Sequence, residues 1–64
     1  MTDDEILDRW HQAELVHAQA GDHDLLEAFI AKVAAEDVAI ARFGIGGHLE
    51  AYRARFPADV KAKP

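Results

Sequence analysis

Apolar positions along this chain recur with a helical period and never alternate as a strand requires. Ile6, Trp10, Ala13 and His17 fall at i, i+4, i+7 and i+11, flanked by Leu7 and Glu14, so one stripe runs along the first segment. Thr2 followed by Glu5 fits a capping box, and Asp3, Asp4 and Glu5 fill a first turn in which the helix dipole favours negative charge. Gly21 stands where a helix end favours a residue free to take positive φ. Together these predict a first helix over about residues 3–20.

Leu25 to Phe43 contains neither Pro nor Gly, and Asp24 with Glu27 fits a second capping box, with Asp22 as the other candidate cap. Leu25, Leu26, Phe29, Ile30, Val33, Ile40 and Phe43 form a broad stripe of large residues. Ala31, Ala34, Ala35, Val38 and Ala41 make a second face of small ones, and polar residues such as Lys32, Glu36, Asp37 and Arg42 lie between. A helix that is apolar on two sides is a central one. The large face is therefore expected to pack on the first helix, and the alanine face to meet the third helix or a second copy. Gly44 with Ile45 fits a Schellman-type stop, and Gly46-Gly47 forms a link. His48 to Phe56 predicts a short third helix, with Leu49, Tyr52, Arg53 and Phe56 on one side and Pro57 ending it. The expected fold is all-α: an antiparallel helical hairpin with a short third helix, one helical domain over 1–57 and a flexible C-terminal tail over 58–64, associating into a bundle.

Composition explains why association enters that expectation. Of the 64 residues half are hydrophobic, but 13 are Ala, which adds little buried area. For chains this short, apolar burial and conformational entropy nearly cancel, and small folds usually gain disulfides, a metal or a partner. With no Cys, a partner chain is the first expectation. A large enclosed active site is not expected, because pockets of roughly 300–1,000 Å³ need more wall. No apolar run reaches the roughly 20 residues of a membrane span. The acidic start, Met1-Thr2-Asp3-Asp4-Glu5, lacks the pattern of a secretory signal, so a cytoplasmic location is expected, with no membrane partner and no cofactor.

Charge is strongly segregated. Residues 1–41 hold ten acidic and two basic residues. Residues 42–64 hold Arg42, Arg53, Arg55, Lys61 and Lys63 against Glu50 and Asp59, and the whole chain carries a formal −5. Such polarity either complements the helix dipoles or orders contacts with another molecule.

Three constellations carry candidate chemistry. His11, Glu14 and His17 lie three apart, and a Glu-x-x-His pair is a unit of di-iron helical bundles. Glu36 could complete it only from a second chain, since in a hairpin turning near residue 22 it stands level with about residue 7, roughly 15 Å from His17 along the axis. No metal site within one chain is expected. The segment Ile40-Ala-Arg-Phe-Gly-Ile-Gly-Gly-His-Leu-Glu-Ala-Tyr-Arg-Ala-Arg-Phe56 resembles the helix-turn-helix of nucleoid-type and repressor proteins, with Gly44-Ile45 at the turn. That resemblance implies DNA contacts from His48, Arg53 and Arg55. It departs from the pattern in that Leu49 comes one residue early and Gly46-Gly47 replace polar residues. The net acidity also opposes phosphate binding, which makes nucleic acid an unexpected partner. Third, Leu15 and Val16 point away from the Ile6/Trp10 stripe, and apolar surface of this kind marks interfaces.

Without a Cys nucleophile, with hydroxyls only at Thr2 and Tyr52, and with no phosphate-cradling Gly motif, no catalytic arrangement stands out. The expected function is non-catalytic: an adaptor, accessory subunit or inhibitor that binds another protein, a second copy of itself, or both. Leu15, Val16, Ala31, Ala35 and Val38 are the expected contact residues, with Asp3, Asp4, Asp8, Arg53 and Arg55 as charged contacts. The Asp3/Asp4/Asp8 and Asp22/Asp24/Glu27 clusters could stand in for phosphates on a basic surface. A DNA-binding module over 40–56 and a cross-chain metal bundle are the alternatives.

Overall fold

The computed structural model describes residues 1–57, and the expected tail over 58–64 lies outside the described residues. The chain forms three helices, α1 (Asp3–Gln19), α2 (Leu25–Phe43) and α3 (Gly47–Arg55). This is an all-α hairpin with a short third helix. α1 starts on its capping box. The Glu5 N–H donates to Thr2 Oγ1 at 3.2 Å, and the Thr2 N–H donates to Glu5 Oε1 at 2.8 Å.

The other helix ends differ from expectation. α1 stops one residue early, because Ala20 turns to extended backbone and its N–H reaches back to the His17 carbonyl. Among the described residues, positive φ belongs only to Gly44 and Gly46, so Gly21 does not act as a left-handed cap. At the start of α2 the Asp24 side chain makes no capping bond, because the residue sits in helical backbone rather than the extended form that lets its carboxylate reach back. Between α2 and α3 the turn depends on glycine torsions. Gly44 has φ 88° and Gly46 has φ 90°, and no atom crowds the place a Cβ would take at either. The need for Gly is therefore conformational rather than steric. Ile45 stands 90% exposed, so the stop lacks the hydrophobic contact of a Schellman turn.

The largest departure is the face that α2 turns inward. The expectation put its large residues against α1, but the buried residues of α2 are Ala28, Ala35 and Ala39, with Ala39 fully enclosed. Ala35 and Ala39 meet Ile6, Leu7 and Trp10 of α1, and Ala28 is buried nearer the hairpin turn. The physical reason is complementarity of size. α1 presents a bulky indole and two branched side chains within two turns, and small residues opposite them let the two backbones approach while filling space. Lys32 falls on the same alanine stripe and escapes by laying its stem outward, its ammonium 5.3 Å from the Phe29 ring centroid.

α3 closes the open end of the hairpin. Tyr52 and Phe56 pack against the core cluster together with Phe43 and Ala51. The Tyr52 ring lies 4.4 Å from that of Trp10. Leu49, expected on this inner side, is exposed, and His48 takes the buried place instead.

Candidate interaction surface

Four of the five expected charged contacts, Asp3, Asp4, Asp8 and Arg55, are used inside the chain. Because the hairpin is antiparallel, the start of α1 lies beside the end of α2. Arg42 Nε donates to Asp3 Oδ1 at 2.7 Å and its Nη2 to Asp3 Oδ2 at 3.2 Å. Arg55 makes the same forked contact with Asp8, at 2.7 and 3.1 Å, and its other terminal nitrogen lies 3.3 Å from Asp4. The Arg55 guanidinium holds the Asp8 carboxyl below the usual carboxylate range. Of the basic candidates, Arg53 alone makes no hydrogen bond or ion pair among the described residues. Segregated charge along the sequence therefore becomes paired charge at one pole of the fold.

A polar and aromatic cluster fills the gap between α1 and α3. Trp10 Nε1 donates to Glu14 Oε2 at 2.9 Å. Burial, then the nearby Glu14 carboxylate, pushes the Tyr52 hydroxyl above its ordinary value, so the phenol keeps its proton, and its oxygen lies 2.7 Å from His11 Nδ1 in a hydrogen bond. His11 also stacks on Phe56 with ring centroids 4.0 Å apart, and so is not the solvated residue that its wheel position suggests. His48 is 5% exposed and stacks on Trp10 at 5.5 Å. The Gly46 N–H donates to its Nδ1 at 3.2 Å, and its Nε2 lies 3.4 Å from Glu36 Oε2. Nδ1 also lies 3.2 Å from the Gly44 carbonyl oxygen.

These partners bear on the alternatives. Glu14 and Glu36 each hold an intrachain donor, and no three His, Asp or Glu side chains come together in a ligand-like group among the described residues. In the helix-turn-helix-like segment, His48 is buried and Arg55 is held by Asp4 and Asp8, which leaves Arg53 of the three residues that the resemblance offers to DNA.

The expected apolar contacts divide. Leu15, Val16, Ala31 and Val38 are exposed, but Ala35 is in the core between α1 and α2, again because the alanine stripe faces Trp10. Val16 and Ala31 line a shallow hollow of about 490 Å³ near the hairpin turn. Ala13, Ala31, Ala34 and Val38 line another of about 350 Å³ beside Arg9. Both lie on the side of the hairpin away from α3. Arg9 and Val38 stand about 200° around their helices from the α3-contacting His11 and Glu36.

A larger apolar surface is made of residues that the stripe of large side chains on α2 predicts to lie in the interior. Leu26 is 70%, Ile30 58% and Phe29 47% exposed, and Leu25 and Val33 stand in solvent beside them. Leu25, Leu26 and Phe29 line a hollow of about 430 Å³ with His17 and Asp22. The available signal was the second stripe on α2. Once one stripe covers α1, no element among the described residues is left to cover the other. No helix among the described residues is long and apolar enough to cross a membrane. No protein family, no curated protein and no solved structure matches the chain.

Proposed function

We propose that this protein is a small non-catalytic interaction module that binds another protein through the outward side of α2. The observation that carries this reading is the inverted helix. The residues that α2 buries are alanines, while five of its large apolar residues, Leu25, Leu26, Phe29, Ile30 and Val33, stand in water. A small domain gains stability by burying its largest side chains, so a cluster left outside marks a surface with another use. Leu26, Ile30 and Val33 are spaced four and then three apart, the seam by which one helix meets another. A second copy of the chain is the rival occupant.

The reading is tested by placing a photo-reactive benzoylphenylalanine at Ile30 in the full chain and irradiating the source cell. The expected result is a discrete adduct, identifiable by mass spectrometry, that is absent when the probe replaces the exposed Gln12. An Ile30 probe yielding no adduct beyond the Gln12 control overturns the reading.

A further inference from the structure

We infer that the outward face of α2 docks a cationic amphipathic helix of a partner protein. This rests on the interaction-module reading above and names the chemistry of its partner. The shape of the face comes first. A ridge of Leu26, Ile30 and Val33 flanked by Phe29 and Leu25 matches an occupant whose apolar residues recur at i, i+3, i+4 and i+7, the helix-in-groove mode. The five side chains expose on the order of 500 Å² of apolar surface, within the range of functional patches on small monomers. Covered on both sides, that makes roughly 1,000 Å² of interface, the size of a weak and reversible complex.

Charge selects between occupants. At the open end of the hairpin, Asp3, Asp4 and Asp8 are met by Arg42 and Arg55. Nothing similar happens around the turn. Residues 12–41 carry Glu14, Asp22, Asp24, Glu27, Glu36 and Asp37 against the single Lys32, a formal −5. Asp22 lines the apolar hollow itself. Glu27 flanks Ile30 one turn away, and Asp37 continues the Leu26–Ile30–Val33 row beyond Val33. None of Asp22, Asp24, Glu27 and Asp37 pairs with Lys or Arg among the described residues. Lys32 is turned onto the Phe29 ring.

A second copy seated here would set Asp22, Glu27 and Asp37 against the same acids, and like charges across an interface repel. A helix with Lys or Arg beside its apolar ridge meets the same acids with the opposite sign. It gains both pairing and faster encounter from their field.

The test uses fluorescein-labelled 18-residue peptides and fluorescence anisotropy with the full chain. One peptide carries Leu at i, i+3, i+4 and i+7 with Lys elsewhere. A second has Glu in place of every Lys, and a third has the composition of the first with the Leu residues spread around the helix. The first peptide is expected to bind with a micromolar Kd that weakens at least tenfold in the Leu26→Asp/Ile30→Asp double variant. A similar weakening is expected in the Asp22→Asn/Glu27→Gln/Asp37→Asn triple variant and on raising the salt from 0.1 to 0.5 M, while the second and third peptides stay unbound. Circular dichroism checks that both variants keep the wild-type helix content.

Equal binding of the Glu peptide, equal binding of the spread-Leu peptide, or wild-type affinity in the Leu26→Asp/Ile30→Asp variant each overturns the inference. So does sedimentation as a dimer that this variant converts to monomer, which makes the second copy the occupant. If the peptides fail to discriminate while the Ile30 probe still captures a discrete protein, the partner class is wrong and the interaction reading stands. If both fail, both fall.

Discussion

The two poles of this hairpin treat the same residue types in opposite ways. At the open pole, where α1 begins and α2 and α3 end, large residues are inside and carboxylates are paired: Trp10, Tyr52 and Phe56 interlock, and Arg42 and Arg55 fork onto Asp3 and Asp8. At the turn pole the large residues Leu26, Phe29 and Ile30 are outside, and Asp22, Asp24 and Glu27 have no cationic partner among the described residues. The contrast separates two tasks. One pole holds the fold together, and the other presents an apolar, acidic surface that adds little to it. Changes at the open pole should therefore unfold the protein, and changes at the turn pole should leave the fold intact.

The sharpest way to break that division is Trp10→Ala. The indole is 3% exposed at the junction of all three helices, and its loss is expected to cost about 3–5 kcal/mol, enough to abolish cooperative thermal unfolding followed by circular dichroism. Ala39→Leu comes next. It adds volume where the helix is fully enclosed and should destabilise by about 1–3 kcal/mol. Ala34→Leu on the outer surface should stay within about 0.5 kcal/mol, a difference that chemical denaturation resolves. Equal effects from the two substitutions would mean that α2 is turned the other way.

His48→Ala removes a ring stacked on Trp10 and takes away the acceptor of the Gly46 N–H and the partner of Glu36. The expected loss is about 1–3 kcal/mol, together with a change in the near-ultraviolet signal of Trp10. At the turn pole, Leu26→Asp and Ile30→Asp should each move stability by no more than about 0.5 kcal/mol. A larger loss in the melting curve would place these residues in the core after all.

The smallest effect is electrostatic. Asp8 is held below the usual carboxylate range by Arg55. Its contribution to stability is present above the ordinary value of about 3.9 and lost as pH falls through the lowered one. Arg55→Gln should move the Asp8 carboxyl titration upward in carbon-detected NMR. An unmoved curve would mean that the forked contact does not form in solution. Tyr52 runs the other way. Its raised value means that stability holds below about pH 10 and declines as pH rises through the raised value.

Helix positions were legible because the signals that set them are local. The Thr2–Glu5 capping box, the Pro- and Gly-free run from Leu25 to Phe43, and Pro57 locate all three elements to within a residue or so. The facing of α2 was not legible, because it is apolar on two opposite sides and a period of 3.6 describes both equally well. The choice is made by the shape of α1, where Trp10 needs small neighbours. His48 was missed for a similar reason: after Gly46-Gly47 it reads as a polar residue opening a helix. Only the approach of α3 to Trp10 and Glu36 encloses it. The ion pairs were within reach, since an antiparallel hairpin turning near residue 22 brings residue 3 level with about residue 42. The bare surface on α2 could have been found by asking how much apolar area α1 has room to cover.

Arg55 lies within an ion-pair distance of Asp4, so the path from Thr2 to Pro57 nearly closes on itself. Joining those two points with a few small residues and opening the backbone at Gly21 would give a circular permutant in which α3 leads directly into α1. Its Arg55–Asp8 fork would turn from a long-range contact into a local one spanning the new link, and the loop beside the acidic apolar surface would become a pair of free chain ends.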